Sequence, residues 1–236
     1  MSFLDNLIAN TIRADVRAEK SYLVADASGY IKLDAMENPY VLPEALRSEL
    51  AQRISDVLLN RYPVPSYETI KQRIRAKLGV PAGYDVLLGN GSDEIISIVA
   101  TACARQDRRA TLLAPEPSFV MFKRSAQFAG MDYVGVALKE DFSLDLPAML
   151  AAIEQHKPSV VFLAYPNNPT GNLFDEGDMV RIIEAVGEHG IVVVDEAYQP
   201  FAKKSFMDKL PQYPNLAVMR TLSKLGLAGI RLGYLS

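Results

Sequence analysis

The feature that most constrains the fold is a set of short apolar runs without polar alternation, SVVFLA at 159–164 and IVVV at 191–194. A strand with one face in water alternates polar and apolar residues, so runs like these are strands covered on both faces. Amphipathic stretches of helical period separate them, and strands alternating with helices predict a mostly parallel sheet between helical layers. On this reading strands occupy 85–88, 111–114, 133–137, 159–164, 191–194 and 216–219, with a last one within 231–236. Helices occupy 93–104, 146–156 and 175–188.

Upstream, Leu46, Leu50, Ile54, Val57 and Leu58 mark one face of a helix over 43–58, with Pro43 in its first turn. Ser66 can cap a second helix carrying Ile70, Ile74 and Leu78, which Gly79 ends. The stiff loop from Asn60 to Pro65 joins them. The first 40 or so residues fit the alternation poorly and read as an arm plus part of a smaller domain. The sequence stops in a strand, so a large domain incomplete at its carboxyl end is expected.

Composition excludes several classes of function. With 49% hydrophobic and 22% charged residues among 236, the chain can bury a sizeable core. Its net charge of −3 argues against nucleic acid or an anionic membrane as partner. A single cysteine, Cys103, suits a reducing compartment. The amino-terminal stretch does not read as a signal peptide, and no run approaches the roughly 18 apolar residues of a membrane span. A cytoplasmic protein is expected, with no metal site.

In doubly wound sheets ligands sit at the carboxyl ends of strands, so the residues that follow each strand carry the functional argument. After 85–88 come Gly91, Ser92 and Asp93 at a helix start, where backbone N–H groups attract a phosphate; taken alone, a tight turn with Ser92 as N-cap is the simpler explanation. After 111–114 comes Phe119, a ring stacker or a core residue. The loop after 159–164 holds Asn168 among prolines, as an amide donor or merely a turn. Asp195 ends the apolar 191–194 strand, where a carboxylate needs a cation or donor, from a ligand or a salt bridge; Tyr198 follows it. After 216–219 come Thr221, Ser223 and Lys224, with Arg231 seven residues beyond, which suits an amine nucleophile beside an anion site. Anion cradle, stacking ring, amide, carboxylate, phenol and lysine together match one cofactor, pyridoxal phosphate.

The stretches LDAMENPY, NRYPVPSYETIKQRIRAKLG, GNGSDEII, YPNNPTGN, VVVDEAY and RTLSKLGLAGIRLGY, in this order, resemble the fold-type-I, class-II pyridoxal-phosphate-dependent aminotransferases, and within them the histidinol-phosphate aminotransferases. The resemblance implies a large cofactor-binding α/β domain at 46–236, truncated at its carboxyl end, preceded at 1–45 by an arm and part of an incomplete small domain. It implies transamination of L-histidinol phosphate with 2-oxoglutarate in histidine synthesis, by a cytoplasmic homodimer with shared active sites. Lys224 would hold the cofactor covalently and then carry the proton. Asp195 would pair with the pyridine N–H; Asn168 and Tyr198 would hold the ring's 3-oxygen, and Phe119 would stack on its face. Gly91, Ser92, Asp93, Thr221, Ser223 and Arg231 would bind its phosphate. Tyr62 would reach the neighbouring subunit's phosphate, while Tyr22, Asn38 and Asn168 would meet the substrate. Arg231 and the pyridinium would depress the Lys224 pKa, and Asp195 would stay ionised.

Three departures accompany the resemblance. The Lys224–Arg231 spacing is one residue shorter than in many aminotransferases, and Phe119 stands where tyrosine is frequent. Family members also continue into a carboxyl-terminal segment that supplies a carboxylate-binding arginine. An aromatic aminotransferase, a threonine-phosphate decarboxylase and a non-catalytic cofactor-binding or dimerisation fragment are the rival readings.

Overall fold

The structure, a computed structural model, describes residues 2–19, 26, 28–32, 35–64, 66–105, 107 and 109–236. Among them a seven-stranded sheet forms in the order β1-β7-β6-β5-β4-β2-β3. The strands are β1 (Leu87–Asn90), β2 (Thr111–Glu116), β3 (Asp132–Ala137), β4 (Val160–Ala164), β5 (Ile191–Asp195), β6 (Leu216–Thr221) and β7 (Leu232–Leu235). Strands β2 to β6 pair in parallel, and β7 runs antiparallel between β1 and β6. The expected mostly parallel sheet is therefore present, with its one reversed strand at the last apolar run.

Both faces of the sheet are covered, as the unalternating runs require. Val161, Leu163, Val192 and Val194 enter one core with helices α4 (Glu68–Leu78), α7 (Leu146–His156) and α8 (Glu176–Val186). Val160, Phe162, Ala164 and Val193 enter the other with α5 (Ser92–Cys103) and α6 (Val120–Phe128). Within β4 each successive side chain thus belongs to the opposite core, which is the period-two geometry of a strand. Local chemistry sets the helix starts: Asp145 caps α7 through Ala148 N at 3.1 Å, and Asp175 caps α8 through Asp178 N at 3.0 Å.

Several boundaries differ from the sequence reading. Strand β1 starts two residues later than expected, because Gly89 and Asn90 pair with Gly233 and Leu232 rather than turning. Meanwhile Asp85 is held by Arg75 at 2.5 Å and accepts from Val86 N at 2.7 Å, which keeps it out of the strand. Ser92 is the first residue of α5 and not its N-cap; Gly91 takes that place, and Glu94 accepts from Asn90 N at 2.5 Å. Nor does Ser66 cap α4: Tyr67 stands at the N-cap with φ 48° and no side-chain bond. Gly79 does close α4, at φ 76°. Strands β2 and β6 run on through Glu116 and Thr221; Pro115, with no N–H for the ladder, lies past the last β2–β4 pair at Leu113. Helix α6 has no counterpart in the sequence reading.

The amino-terminal region is built differently. Helices α1 (Phe3–Thr11), α2 (Ala14–Ala18) and α3 (Glu44–Ser55) contain no buried residue. Helix α3 lies within the expected 43–58 and spans the expected domain boundary. Arg13 fastens this region to the end of α6, donating to the carbonyls of Gln127 at 2.6 Å and Phe128 at 3.1 Å. Among the described residues no helix is long and apolar enough to cross a membrane.

Candidate active site

A cavity of about 500 Å³ opens at the carboxyl ends of the parallel strands, where doubly wound sheets bind ligands. Because β7 runs the other way, its amino-terminal end reaches the same rim and brings Arg231 with it. Ser92 and Asp93 line the cavity from the start of α5, and Phe119 lines it from the loop after β2. Asn168 comes from the loop after β4, Asp195 from the end of β5, and Tyr198 from just beyond. Thr221 ends β6, and Ser223 and Lys224 follow it along the wall.

Close packing builds the cationic corner. Gly91, at φ 79°, caps α5, and a Cβ there would lie 2.6 Å from Arg231 Nη2. A Cβ on Gly233 would lie 2.7 Å from the Gly91 carbonyl carbon and 2.9 Å from Ser92 N, so β7 passes directly against the β1–α5 turn. Backbone atoms exclude a side chain at Gly233, and the positive φ strains any other residue at Gly91. Arg231 itself adopts φ 55° and ψ 43°, a left-handed conformation that costs a non-glycine residue about 1–3 kcal/mol. Its guanidinium donates to Ser223 Oγ at 3.4 Å, while Thr221 Oγ1 donates to the same oxygen at 3.0 Å. Two hydroxyls, a guanidinium and the positive end of a twelve-residue helix thus converge where an anion can sit.

The carboxylate wall is the reverse case. Asp195 is 5% exposed and accepts from Ala197 N at 3.0 Å. Burial, reinforced by Asp93 and Glu196 and only partly offset by the Ala197 bond, pushes its pKa up to about 7. The salt bridge that could have explained Asp195 belongs to its neighbour instead. Glu196 meets Arg220 at 2.8 Å and accepts from Ser205 Oγ at 3.0 Å and Phe206 N at 2.5 Å. Asp195 therefore faces the cavity as a buried carboxylate that a cation or N–H donor would stabilise.

Lys224 Nζ donates to the Ala35 carbonyl at 2.5 Å and lies 5.6 Å from the centre of the Tyr198 ring. Its pKa is lowered chiefly by burial; Glu37 and Asp93 oppose the shift, and Lys32 and Arg231 add to it. Arg231 acts in the expected direction, but desolvation of the wall does most of the lowering. Ala35 and Met36 also line the cavity and are not legible as site residues in the sequence, because nothing local brings Ala35 to a lysine 189 positions away.

Gly91 shapes the cavity through Arg231 without lining it. Asn38 also stands outside the wall; its side chain lies against Gly226, where a Cβ would meet Asn38 Nδ2 at 3.0 Å. Tyr62 is fully exposed and does not join the cavity of its own chain. Tyr22 lies outside the described residues. Among the described residues no group of three or more His, Cys, Asp or Glu side chains is placed to hold a metal.

A mixed sheet with a lysine, a buried carboxylate and an anion corner at one end defines a class of protein, and the comparison with known families agrees. Residues 28–236 match the model of the family "Aminotransferase class I and II", and the chain belongs to that family.

Within it, the chain is 59% identical to histidinol-phosphate aminotransferase 2 of Cupriavidus pinatubonensis, over all of this chain and 65% of that protein. It is 57% identical to histidinol-phosphate aminotransferase 1 of Ralstonia nicotianae, over 99% of this chain and 63% of that one. The chain thus spans a little under two thirds of the length of these relatives. Histidinol-phosphate aminotransferase from Sinorhizobium meliloti, solved in complex with pyridoxal-5'-phosphate, superposes with a TM-score of 0.72 at 26% identity, over 85% of this chain and 54% of that one. The sheet and its helical layers are those of fold-type-I aminotransferases.

Proposed function

We propose that this chain carries the cofactor site of a pyridoxal-phosphate-dependent histidinol-phosphate aminotransferase. The observation that supports this reading best is the juxtaposition, in one cavity, of the buried Asp195 carboxylate, the Lys224 amine and the Arg231 corner. A pyridinium N–H beside Asp195 would favour its ionised form and relieve its burial. Thr221, Ser223, Arg231 and the backbone N–H groups from Gly91 to Asp93 would hold the phosphate. Phe119 would stack on the ring, and Asn168 and Tyr198 would hold its 3-oxygen. The volume of about 500 Å³ accommodates such a group.

When bound, pyridoxal phosphate supplies an electron-withdrawing ring that stabilises negative charge at the α-carbon of an amino substrate. The chain's own contribution is a base and its support. Lys224, its pKa lowered by burial, holds its amine closer to the neutral form that attacks a carbonyl or takes a proton. Ala35 and Tyr198 orient that amine from two sides.

The same reading covers the other expectations. The substrates are L-histidinol phosphate and 2-oxoglutarate, met by Tyr22, Asn38 and Asn168. The working form is a cytoplasmic homodimer in which exposed Tyr62 reaches the neighbour's cofactor phosphate. Residues 1–45 form an arm and part of a small domain, and 46–236 form the large domain.

The test is a visible absorption spectrum of the protein with pyridoxal phosphate, before and after histidinol phosphate is added. A band of covalently held cofactor that shifts with this amine and not with generic amino acids is expected. A band that shifts equally with phenylalanine would favour the aromatic aminotransferase, and no band would overturn the reading.

A further inference from the structure

Asn167 is 2% exposed, and its side chain is held by the two loops on either side of it. Nδ2 donates to the Pro117 carbonyl at 3.0 Å and to Thr170 Oγ1 at 2.7 Å, while Oδ1 accepts from Ser118 Oγ at 3.0 Å. Its backbone closes the loop after β4, with Asn167 N donating to Asn172 O at 2.9 Å and its carbonyl accepting from Gly171 N at 2.8 Å. Because the Pro117 carbonyl can only accept, the orientation of the amide is determined by chemistry. One side chain therefore ties the loop after β2 to the loop after β4. Each loop places the very next residue, Phe119 after Ser118 and Asn168 after Asn167, in the cavity wall.

We propose that Asn167 is a positioning residue that locks these two loops together, so that the Phe119 ring and the Asn168 amide present a preformed slot to a flat aromatic ligand. The sheet alone does not set this slot. Strands β2 and β4 pair only at Leu112–Val160 and Leu113–Val161, well before either loop begins. Beyond that point Asn167 bridges the two directly. Aspartate is nearly isosteric but would set a carboxylate oxygen against the Pro117 carbonyl, so it cannot substitute.

This inference rests on the pyridoxal phosphate reading, and its test separates the two. The readouts are the dissociation constant of pyridoxal phosphate and the visible circular dichroism per bound cofactor at saturation, which reports how the ring is seated. Dichroism per bound molecule does not change merely because less protein is folded. Asn167→Ala is expected to weaken binding about tenfold and to more than halve the dichroism. Phe119→Leu should weaken the parent about tenfold but the Asn167→Ala protein by less than about threefold, since coupled residues are not additive. Independent, multiplying effects would overturn the proposal, as would unchanged dichroism in Asn167→Ala. If that variant fails to fold, Ser118→Ala removes one tie alone; reduced dichroism supports the proposal and parental dichroism overturns it. A parent protein that captures no cofactor would overturn the functional reading and this inference with it.

Discussion

Helix α8 carries Met179, Ile182, Ile183 and Val186 along one side, and all four are fully buried. Helix α3 carries Leu46, Leu50 and Ile54 along one side too, and leaves them 38–54% exposed. The contrast extends to whole regions: among the described residues, every buried hydrophobic side chain lies at or after Ile74. Helical periodicity states which face asks for cover, but a second surface must supply it. For α8 that surface is α7 and β5, from the same chain. For α3 the homodimer proposed above is the natural source. Most of the cavity wall belongs to the well-packed region, which holds the buried Asp195 carboxylate in place, while Ala35 reaches Lys224 from the other.

The sharpest test of that contrast is chemical. Lys224→Ala should abolish covalent capture of pyridoxal phosphate and cut transamination by about 10³-fold or more, while phosphate-driven binding persists weakly. Borohydride-fixed labelling at the parental level in this variant would sink the assignment. On stability, Ile182→Ala should cost about 2–5 kcal/mol in denaturant unfolding, because it empties a filled core position.

Asp195→Asn probes the site from the other direction. With a folded pKa of about 7 against 3.8 when exposed, Asp195 keeps its proton in the folded state where the unfolded chain has lost it. Its contribution to stability is full below pH 4 and is lost as pH rises to about 7. Without cofactor, the Asn variant should therefore melt above the parent at pH 8 and level with it at pH 4, although its activity is lost. A parent that melts higher at pH 8 would contradict the burial argument.

Leu50→Ala on α3 should change stability by no more than about 0.5 kcal/mol at low protein concentration. A destabilisation that grows with concentration would identify a second copy as the cover, and a concentration-independent large effect would show that α3 is covered within its own chain. The smallest effect belongs to the exposed Glu49–Arg53 pair at 2.6 Å. Arg53→Ala should cost no more than about 0.5 kcal/mol, and less in high salt.

Much of the packed region is legible in the sequence alone. The runs at 159–164 and 191–194 announce a sheet covered on both sides, and α7 falls on the expected 146–156. Lys224, Asp195, Tyr198 and Asn168 are legible because each follows a strand whose apolar run is unmistakable. The turn at Gly91 falls two residues later than its sequence suggests, because its boundary depends on pairing with β7, more than 140 positions away. Helix α6 is short, and its buried face of Phe122, Ser125 and Ala126 includes a polar residue, which blurs the apolar stripe that marks a helix.

The sequence by itself determined the alternation of elements, the apolar faces and the chemical types gathered at the strand ends. Those are local properties, written in periodicity and in the conformational limits of Gly and Pro. Only the tertiary structure decided which of two adjacent carboxylates is paired with Arg220 and which faces the cavity. It also decided that Ala35 meets Lys224, and that Asn167 serves the loops while Asn168 serves the cavity. Such choices turn on which surfaces meet and which groups lose water, and those depend on strands brought together from distant parts of the chain.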